Sequence, residues 1–251
     1  MAYGSRDLGR DDTGPEVVEL QMRLAGFRGT KPDGDYGPGT ELQVMTFQRD
    51  VMGQASPSGR ADLATLAAIQ AFGAAHPVNF NLLTCKCGVC DGFGQGKFKG
   101  LYQGQVKVEA YYRYEYPGVH RMILWAFRAA MFHAQAKGWT LTVNSGYRCS
   151  VDNQQHARSS TNHHGKAIDI DIVGSPTGKV DMERCDALRG ILVEKANAQI
   201  AWGAPNLKSL EPSNIAPTWV HYDVRSYDKA YLDDRYFVKS QAALDAPPAG
   251  V

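Results

Sequence analysis

Strict alternation of apolar and polar residues predicts two short strands in the second half of the chain. The first is AIDIDI, in which isoleucines alternate with Asp169 and Asp171, and the second is WVHYDV, which carries His221 and Asp223. Residues two apart on a strand share a face, so each run has one apolar face for a core and one polar face. We therefore expect Asp169 and His221 to come close if the two strands lie near each other.

Apolar residues at helical spacing predict most of the remaining elements. In the first third of the chain they predict three short helices, which begin near Pro15, Thr40 and Asp62. Further on, helical spacing predicts one helix at Val119–Lys137 and another at Asp181–Ala198. The sequence also predicts a strand at Trp139–Val143 and a region of strand and loop at Leu101–Tyr116. The predicted fold class is α+β: a small N-terminal three-helix bundle, then a domain with a central, mostly antiparallel sheet and flanking helices.

The length of 251 residues suits one large domain or two small ones, and we place two, at 1–74 and 75–251. We expect a linker at Gly73–Asn79, where Pro77 disfavours helix. The formal net charge of +1 gives no electrostatic reason to bind nucleic acid. Because no run approaches about 18 consecutive apolar residues, we expect no membrane span. We also expect the protein to be a monomer.

A polar loop that begins at Ser145 leads into the first of the two strands. It contains three histidines, at His156, His163 and His164. Gly165 then lets the backbone turn sharply. Imidazole and carboxylate are both zinc ligands, so a loop histidine, Asp169 and His221 would form a three-ligand site with one open position. The alternative is a surface strand with ordinary polar residues.

Three short motifs follow one another in this region: SGYR, then histidine with Gly-x-Ala-x-Asp, then Trp-x-His-x-Asp. Their order resembles the M15 zinc peptidases, which include D-Ala-D-Ala carboxypeptidases and the L-alanyl-D-glutamate endopeptidases of phage lysins. The resemblance covers roughly Phe80 to Phe237 and implies a hedgehog-like α+β fold. The family pattern is Ser-x-His-x-x-Gly-x-Ala-x-Asp, whereas here Asn162 stands three before the glycine and His163 stands two before it.

The resemblance implies a zinc ion held by His163, Asp169 and His221. The ligand role passes to His163 if the loop is one residue shorter than in the family, and His164 is the alternative. The implied activity is hydrolysis of peptide bonds in peptidoglycan stem peptides or cross-links. Endopeptidase and D-Ala-D-Ala carboxypeptidase both stay open, as does a wall-binding scaffold without metal.

The family also uses a glutamate upstream of its last histidine as general base. Glu211 is the preferred candidate, and Glu194 and Asp223 are the alternatives. We expect Asp223 instead to orient a ligand through a hydrogen bond. Arg148, at the end of SGYR, is expected to bind substrate and the transition state through its planar fork of donors, with a structural salt bridge as the alternative.

The N-terminal segment resembles the three-helix type of peptidoglycan-binding domain. The matching residues are Gly14, Val17, Leu20, Gln21, Leu24, Gly26, the Asp-Gly-Asp-Tyr-Gly turn, Thr40, Val44, Phe47, Gln48, Gly59, Asp62 and Thr65. The resemblance implies that peptidoglycan is a partner, and the turn at Asp35 and Tyr36 is the expected contact. The alternative is a helical bundle that serves only as a spacer.

Three cysteines fall within six residues, at Cys85, Cys87 and Cys90. They suit a structural zinc knuckle only if Cys149 or a histidine joins them. A disulfide to Cys149 or Cys185, and free thiols, are the other interpretations.

The first residues of the chain are polar and lack the apolar segment of a secretory signal. We therefore expect synthesis in the cytoplasm without a signal peptide. To act on the cell wall in the periplasm, the protein would then need release or delivery. A phage lysin that passes through holin lesions fits this expectation, and so does a virion-borne or effector protein.

Overall fold

The computed structural model describes residues 3–94, 96, 114–158, 160–200, 209–224 and 231–248. Its helices are α1 (Pro15–Arg23), α2 (Pro38–Asp50), α3 (Leu63–Ala75), α4 (Phe80–Leu83), α5 (Arg121–Gln135), α6 (Ser150–Gln155), α7 (Lys179–Ala196) and α8 (Gln241–Asp245). Its strands are β1 (Val119–His120), β2 (Leu141–Ser145), β3 (Ala167–Ile172), β4 (Ser209–Leu210), β5 (Val220–Asp223) and β6 (Phe237–Val238). The predicted α+β fold class is confirmed.

The first three helices pack around a cluster of phenylalanines. Phe27, Phe47 and Phe72 meet edge to face, with ring centroids 5.2 to 5.8 Å apart. Local sequence sets the helix starts: α1 begins at a proline, whose fixed φ suits a first turn. Asp62 caps α3 by accepting a hydrogen bond of 2.7 Å from the backbone N–H of Thr65.

Helix α5 joins this bundle to the rest of the molecule. A Cβ on Gly26 would lie 2.1 Å from the Ala129 side chain, so only glycine allows the chain after α1 to approach α5 this closely. Beside this contact, the buried carboxylate of Glu19 accepts hydrogen bonds from Arg121 and, at 2.6 Å, from Arg23. The bundle is therefore held to α5 by tight packing and by a desolvated ion cluster.

Replacing Glu19 by glutamine is expected to lower the free energy of unfolding by about 3–5 kcal/mol, because it leaves two buried guanidinium groups without their counter-charge. Chemical denaturation measures this loss. The matched control is Glu41→Gln, which removes an exposed ion pair with Arg10 and should change stability by about 1 kcal/mol or less. Equal losses in the two variants would contradict the structural role of the buried cluster.

The candidate site lies on a four-stranded antiparallel sheet with strand order β2-β3-β5-β4. The central strand β3 turns Ile168, Ile170 and Ile172 into the core, as the alternation predicts, while Asp169 lies on the other face. Across the β3–β5 pair, Asp169 is the direct partner of His221. The register therefore places the two polar faces side by side.

Several predicted boundaries were wrong. The helix expected from Val119 begins at Arg121, because Val119 and His120 instead pair with β6. The strand expected at Trp139–Val143 is shifted to Leu141–Ser145, where it pairs with β3. The polar loop after Ser145 contains the short helix α6, which periodicity did not indicate.

The linker predicted at Gly73–Asn79 is shorter, because α3 continues to Ala75. Gly73 packs against α5: a Cβ there would lie 2.7 Å from the Trp125 ring. The division into 1–74 and 75–251 stays a prediction. The predicted strand and loop at Leu101–Tyr116 lies, up to residue 113, outside the described residues.

Among the helices in the described parts of the chain, none is both long and apolar enough to cross a membrane.

Candidate metal centre

Two strand residues form the base of the candidate site. His221 Nδ1 lies 2.7 Å from Asp169 Oδ1, and His221 Nε2 lies 2.9 Å from Asp223 Oδ2. All three side chains are buried. The imidazole of His221 is thus held between two carboxylates, one from its own strand and one from the neighbouring strand.

The third member of the site, His163, comes from the loop before β3. Its Nδ1 lies 2.7 Å from the backbone carbonyl oxygen of Gly146, which can only accept a hydrogen bond. The proton is therefore on Nδ1, and the lone pair of Nε2 faces the site, 3.4 Å from Asp169 Oδ1. One donor atom each from His163, Asp169 and His221 lies within 4.8 Å of the others.

Gly165 is needed for the loop to enter β3 in this way. Its φ of +104° lies in the region that favours glycine. A Cβ at this position would also lie 2.3 Å from the carbonyl oxygen of Gly118. The sharp turn predicted from the sequence is present, and it brings His163 beside the strand.

The other two loop histidines lie outside the three-donor group. His164 is buried, and burial lowers its pKa to about 3; its Nε2 lies 3.4 Å from the Asn153 amide. His156 has a half-exposed side chain whose Nδ1 lies 2.9 Å from the carbonyl oxygen of Asp152. Of the two predicted alternatives, the structure brings His163 rather than His164 to Asp169.

Burial and charge set the protonation of the three residues. Burial lowers the pKa of His163, although Asp169 opposes this shift. Burial would raise the pKa of Asp169, but its interactions with the imidazoles of His163 and His221 hold it well below its usual range. Burial would lower the pKa of His221, but the hydrogen bonds to Asp169 and Asp223 outweigh it and raise the pKa to about 9.

We expect His221 to stay protonated at neutral pH in protein stripped of metal by a chelator, and to lose its proton near pH 9. The stability that this proton confers is complete below the unfolded-state pKa of about 6.5 and is lost as the pH rises through the folded-state value. NMR of the histidine rings measures the midpoint. Asp223→Asn should lower the titration midpoint of His221. A midpoint of about 6.5 for His221 in the unaltered chain would contradict its placement between two carboxylates.

Arg148 lies against two of the three candidate ligands. Its Nη2 is 2.7 Å from both His163 Nε2 and Asp169 Oδ2, and its Nε donates to Ser145 Oγ at 3.0 Å. Because a guanidinium has no acceptor, the first contact also requires the lone pair of His163 to lie on Nε2. This position fits both interpretations of Arg148, as a partner in a structural salt bridge and as a residue that binds substrate.

A polar cleft of about 210 Å³ opens beside Arg148. Cations and polar groups from three segments line it, among them Lys86, Ser145, Arg148, Asp152, His156 and Arg158. Three of these side chains are Lys or Arg and one is Asp, so the cleft carries an excess of positive charge, although Arg148 pairs with Asp169 and Arg158 pairs with Asp152.

The candidate bases differ in where they lie. Glu211, which follows β4, has its Oε1 4.0 Å from His221 Nε2 and its side chain is mostly buried. Glu194 is on α7 with an exposed side chain that pairs with Lys195. Asp223 is fully buried and bonded to His221, as expected of an orienting group. The structure brings Glu211, and not Glu194, to the site.

The N-terminal turn places its two candidate residues differently. Asp35 has an exposed side chain, whereas Tyr36 is buried and donates its hydroxyl to the Gly59 carbonyl at 2.6 Å. The position of Tyr36 favours a packing role over contact with a wall ligand. Contact through Asp35 stays a prediction.

The cysteine pattern gains a member in the structure. Cys149, which directly follows Arg148, lies with Cys85, Cys87 and Cys90 in a second group of possible metal ligands. All five cysteines are free thiols, and Cys185 lies apart on α7. Sequence spacing could name the first three but could not show that Cys149 joins them.

Comparison with known proteins supports the reading of the first helices. Residues 13–69 match the family model of the peptidoglycan binding domain. Among curated proteins, none matches this chain significantly. The matched residues span α1, α2 and about half of α3. The chain therefore carries a peptidoglycan-binding domain at its N-terminus. This domain supports the prediction that peptidoglycan is a partner of the protein.

Proposed function

We propose that this protein is a zinc-dependent peptidase that hydrolyses peptide bonds in peptidoglycan stem peptides or cross-links. The N-terminal domain would hold it on the cell wall, and the group His163, Asp169 and His221 would form the active site. This activity is that of the M15 peptidases, which the SGYR and Trp-x-His-x-Asp motifs resemble. Action as a phage lysin released through holin lesions stays a prediction.

The convergence of three donor atoms within 4.8 Å is the observation that carries the proposal. Two imidazole nitrogens and one carboxylate oxygen suit zinc, and three protein ligands leave a fourth position for water or substrate. The hydrogen bonds outside the group support the fit. The Gly146 carbonyl fixes the tautomer of His163, and Asp223 contacts the outer nitrogen of His221; metal-binding histidines commonly have such a hydrogen-bond partner on the nitrogen that does not bind the metal.

A bound zinc ion would polarise the scissile carbonyl and lower the pKa of its water toward about 7. The chain's own residues would do the rest. Glu211, beside His221, would accept a proton from the attacking water and pass it to the leaving amine. Asp223 would keep His221 oriented.

Arg148 and the cleft beside it would bind the substrate. If His163 Nε2 and Asp169 became metal ligands, the guanidinium would lose two partners and could turn to a substrate carbonyl or carboxylate. Lys86 and Arg158 line the same cleft. Stem peptides carry free carboxylates, so this charge pattern supports a peptidoglycan peptide as the substrate.

Digestion of purified sacculi by the full chain, followed by mass analysis of the released fragments, tests the proposal. We expect zinc-dependent release of fragments with new termini. New L-Ala and D-Glu ends would identify an L-alanyl-D-glutamate endopeptidase, and free D-Ala would identify a carboxypeptidase. Fragments that arise equally with and without a chelator, or no fragments at all, would contradict a zinc peptidase.

A wall-binding scaffold without metal is the second candidate. It is favoured by Arg148, whose guanidinium already satisfies His163 and Asp169 through hydrogen bonds of 2.7 Å. Metal analysis after mild dialysis separates the candidates. The peptidase should retain zinc that depends on Asp169, whereas the scaffold should bind sacculi equally well before and after chelation and release nothing.

A further inference from the structure

Four cysteine sulfurs converge beside the SGYR segment. The Sγ atoms of Cys85, Cys87, Cys90 and Cys149 all lie within 4.8 Å of one another, and the pair from Cys87 and Cys149 is 3.5 Å apart. Thiolates bound to zinc at about 2.3 Å in a tetrahedron are themselves about 3.8 Å apart. The spacing of the four sulfurs therefore matches a shell around one metal ion.

Backbone N–H groups point at these sulfurs. Such contacts, of 3.3 to 3.4 Å, run from Val89 and Cys90 to Cys87 Sγ, from Gly92 to Cys90 Sγ, and from Cys149 to Cys85 Sγ. Gly88 and Gly92, with φ of +72° and +100°, give the backbone the turns that direct these groups inward. N–H donors stabilise the negative charge of thiolates, which is the form that binds metal.

Other uses of four cysteines fit the geometry less well. A disulfide requires sulfurs about 2.05 Å apart, whereas Cys87 Sγ and Cys149 Sγ are 3.5 Å apart and all five cysteines are free. An iron–sulfur cluster places several irons and bridging sulfides between its thiolates and so needs a wider shell.

We propose that Cys85, Cys87, Cys90 and Cys149 hold a structural zinc ion, separate from the centre at Asp169. Each thiol would give its proton to solvent as its bond to zinc forms, so the step needs no oxidant or reductant. The site would fasten the segment after α4 to the start of α6. The inference does not rest on the proposed peptidase activity.

The position of this site suggests what it stabilises. Cys149 follows Arg148 directly, and the Tyr147 N–H donates to the Leu83 carbonyl at 2.7 Å. Gly146 lies so close to the same residue that a Cβ would be 2.4 Å from the Leu83 Cα. A zinc ion at the cysteines would thus lock residues 83–92 onto the segment that presents Arg148.

The test uses the full chain, purified under reducing conditions and loaded with cobalt(II) in place of zinc. We expect an intense near-ultraviolet charge-transfer band from thiolate to cobalt. Cys90→Ser should weaken this band and reduce the bound cobalt by one equivalent. Two controls should keep the band: Cys185→Ser, which alters a buried cysteine outside the group, and Asp169→Ala, which alters only the other centre.

The absence of a thiolate band from the unaltered chain would overturn the inference, even if Cys90→Ser fails to fold. Stoichiometric iron in place of zinc, or disulfides found by mass analysis under these conditions, would also overturn it. Failure of the proposed peptidase would look different, because the sacculi would stay intact while the thiolate band persisted.

Discussion

Replacing Asp169 by alanine is expected to abolish both zinc binding at its centre and lysis of sacculi. Asp169 is the one carboxylate among the three donors, and its two oxygens contact His221, His163 and Arg148. Without it, two imidazoles remain, which are too few ligands for a stable catalytic zinc site. Metal analysis and the release of soluble fragments from sacculi measure the two losses.

The matched control for this variant is Asp171→Ala. Asp171 lies two residues further along β3, so it shares the face of Asp169, but it is not among the three donors. This control should keep both zinc and lysis. Circular dichroism and thermal unfolding confirm that each variant is folded. Lysis at the unaltered rate by folded Asp169→Ala protein would remove Asp169 from the site.

Replacing Glu211 by alanine is expected to keep zinc and to slow hydrolysis by about 10²–10⁴-fold, the usual contribution of a positioned general base. Glu211 Oε1 lies 4.0 Å from His221 Nε2, so the carboxylate is beside a candidate ligand but outside the group of donors. Initial rates of fragment release at saturating sacculi, together with zinc per chain, separate a loss of turnover from a loss of metal.

Glu194→Ala serves as the control, because this carboxylate on α7 is exposed and pairs with Lys195. Its rate should match that of the unaltered chain. If Glu211→Ala keeps full activity, the proton acceptor is another group, and Asp223 becomes the next candidate. If Glu211→Ala instead loses zinc, the residue holds metal and is not a base.

The strands at the site could be predicted from the sequence because their signal is local. Alternation in AIDIDI and WVHYDV follows from the two-residue period of a strand, and both runs form strands, β3 and β5. The pairing register that makes Asp169 face His221 is not local. It depends on how the sheet assembles, so the sequence could indicate only that the two residues would meet if the strands were neighbours.

Other parts of the site depend on contacts that no local pattern records. The loop histidine next to Asp169 is selected by a hydrogen bond to the Gly146 carbonyl, so His163 and His164 could not be separated by spacing. Cys149 joins the other cysteines because the segment after α4 packs on SGYR. Helical spacing predicted that Val119 belongs to the helix, whereas in the structure Val119 lies in a strand that pairs with β6.

The central claim is that His163, Asp169 and His221 together hold one zinc ion. Anomalous diffraction at the zinc edge, from crystals of the full chain grown with zinc, tests it most directly. We expect an anomalous peak about 2.0–2.2 Å from His163 Nε2, an Asp169 oxygen and His221 Nδ1. Crystals that show a peak only at the four cysteines, with Arg148 still bonded to His163 and Asp169, would contradict it.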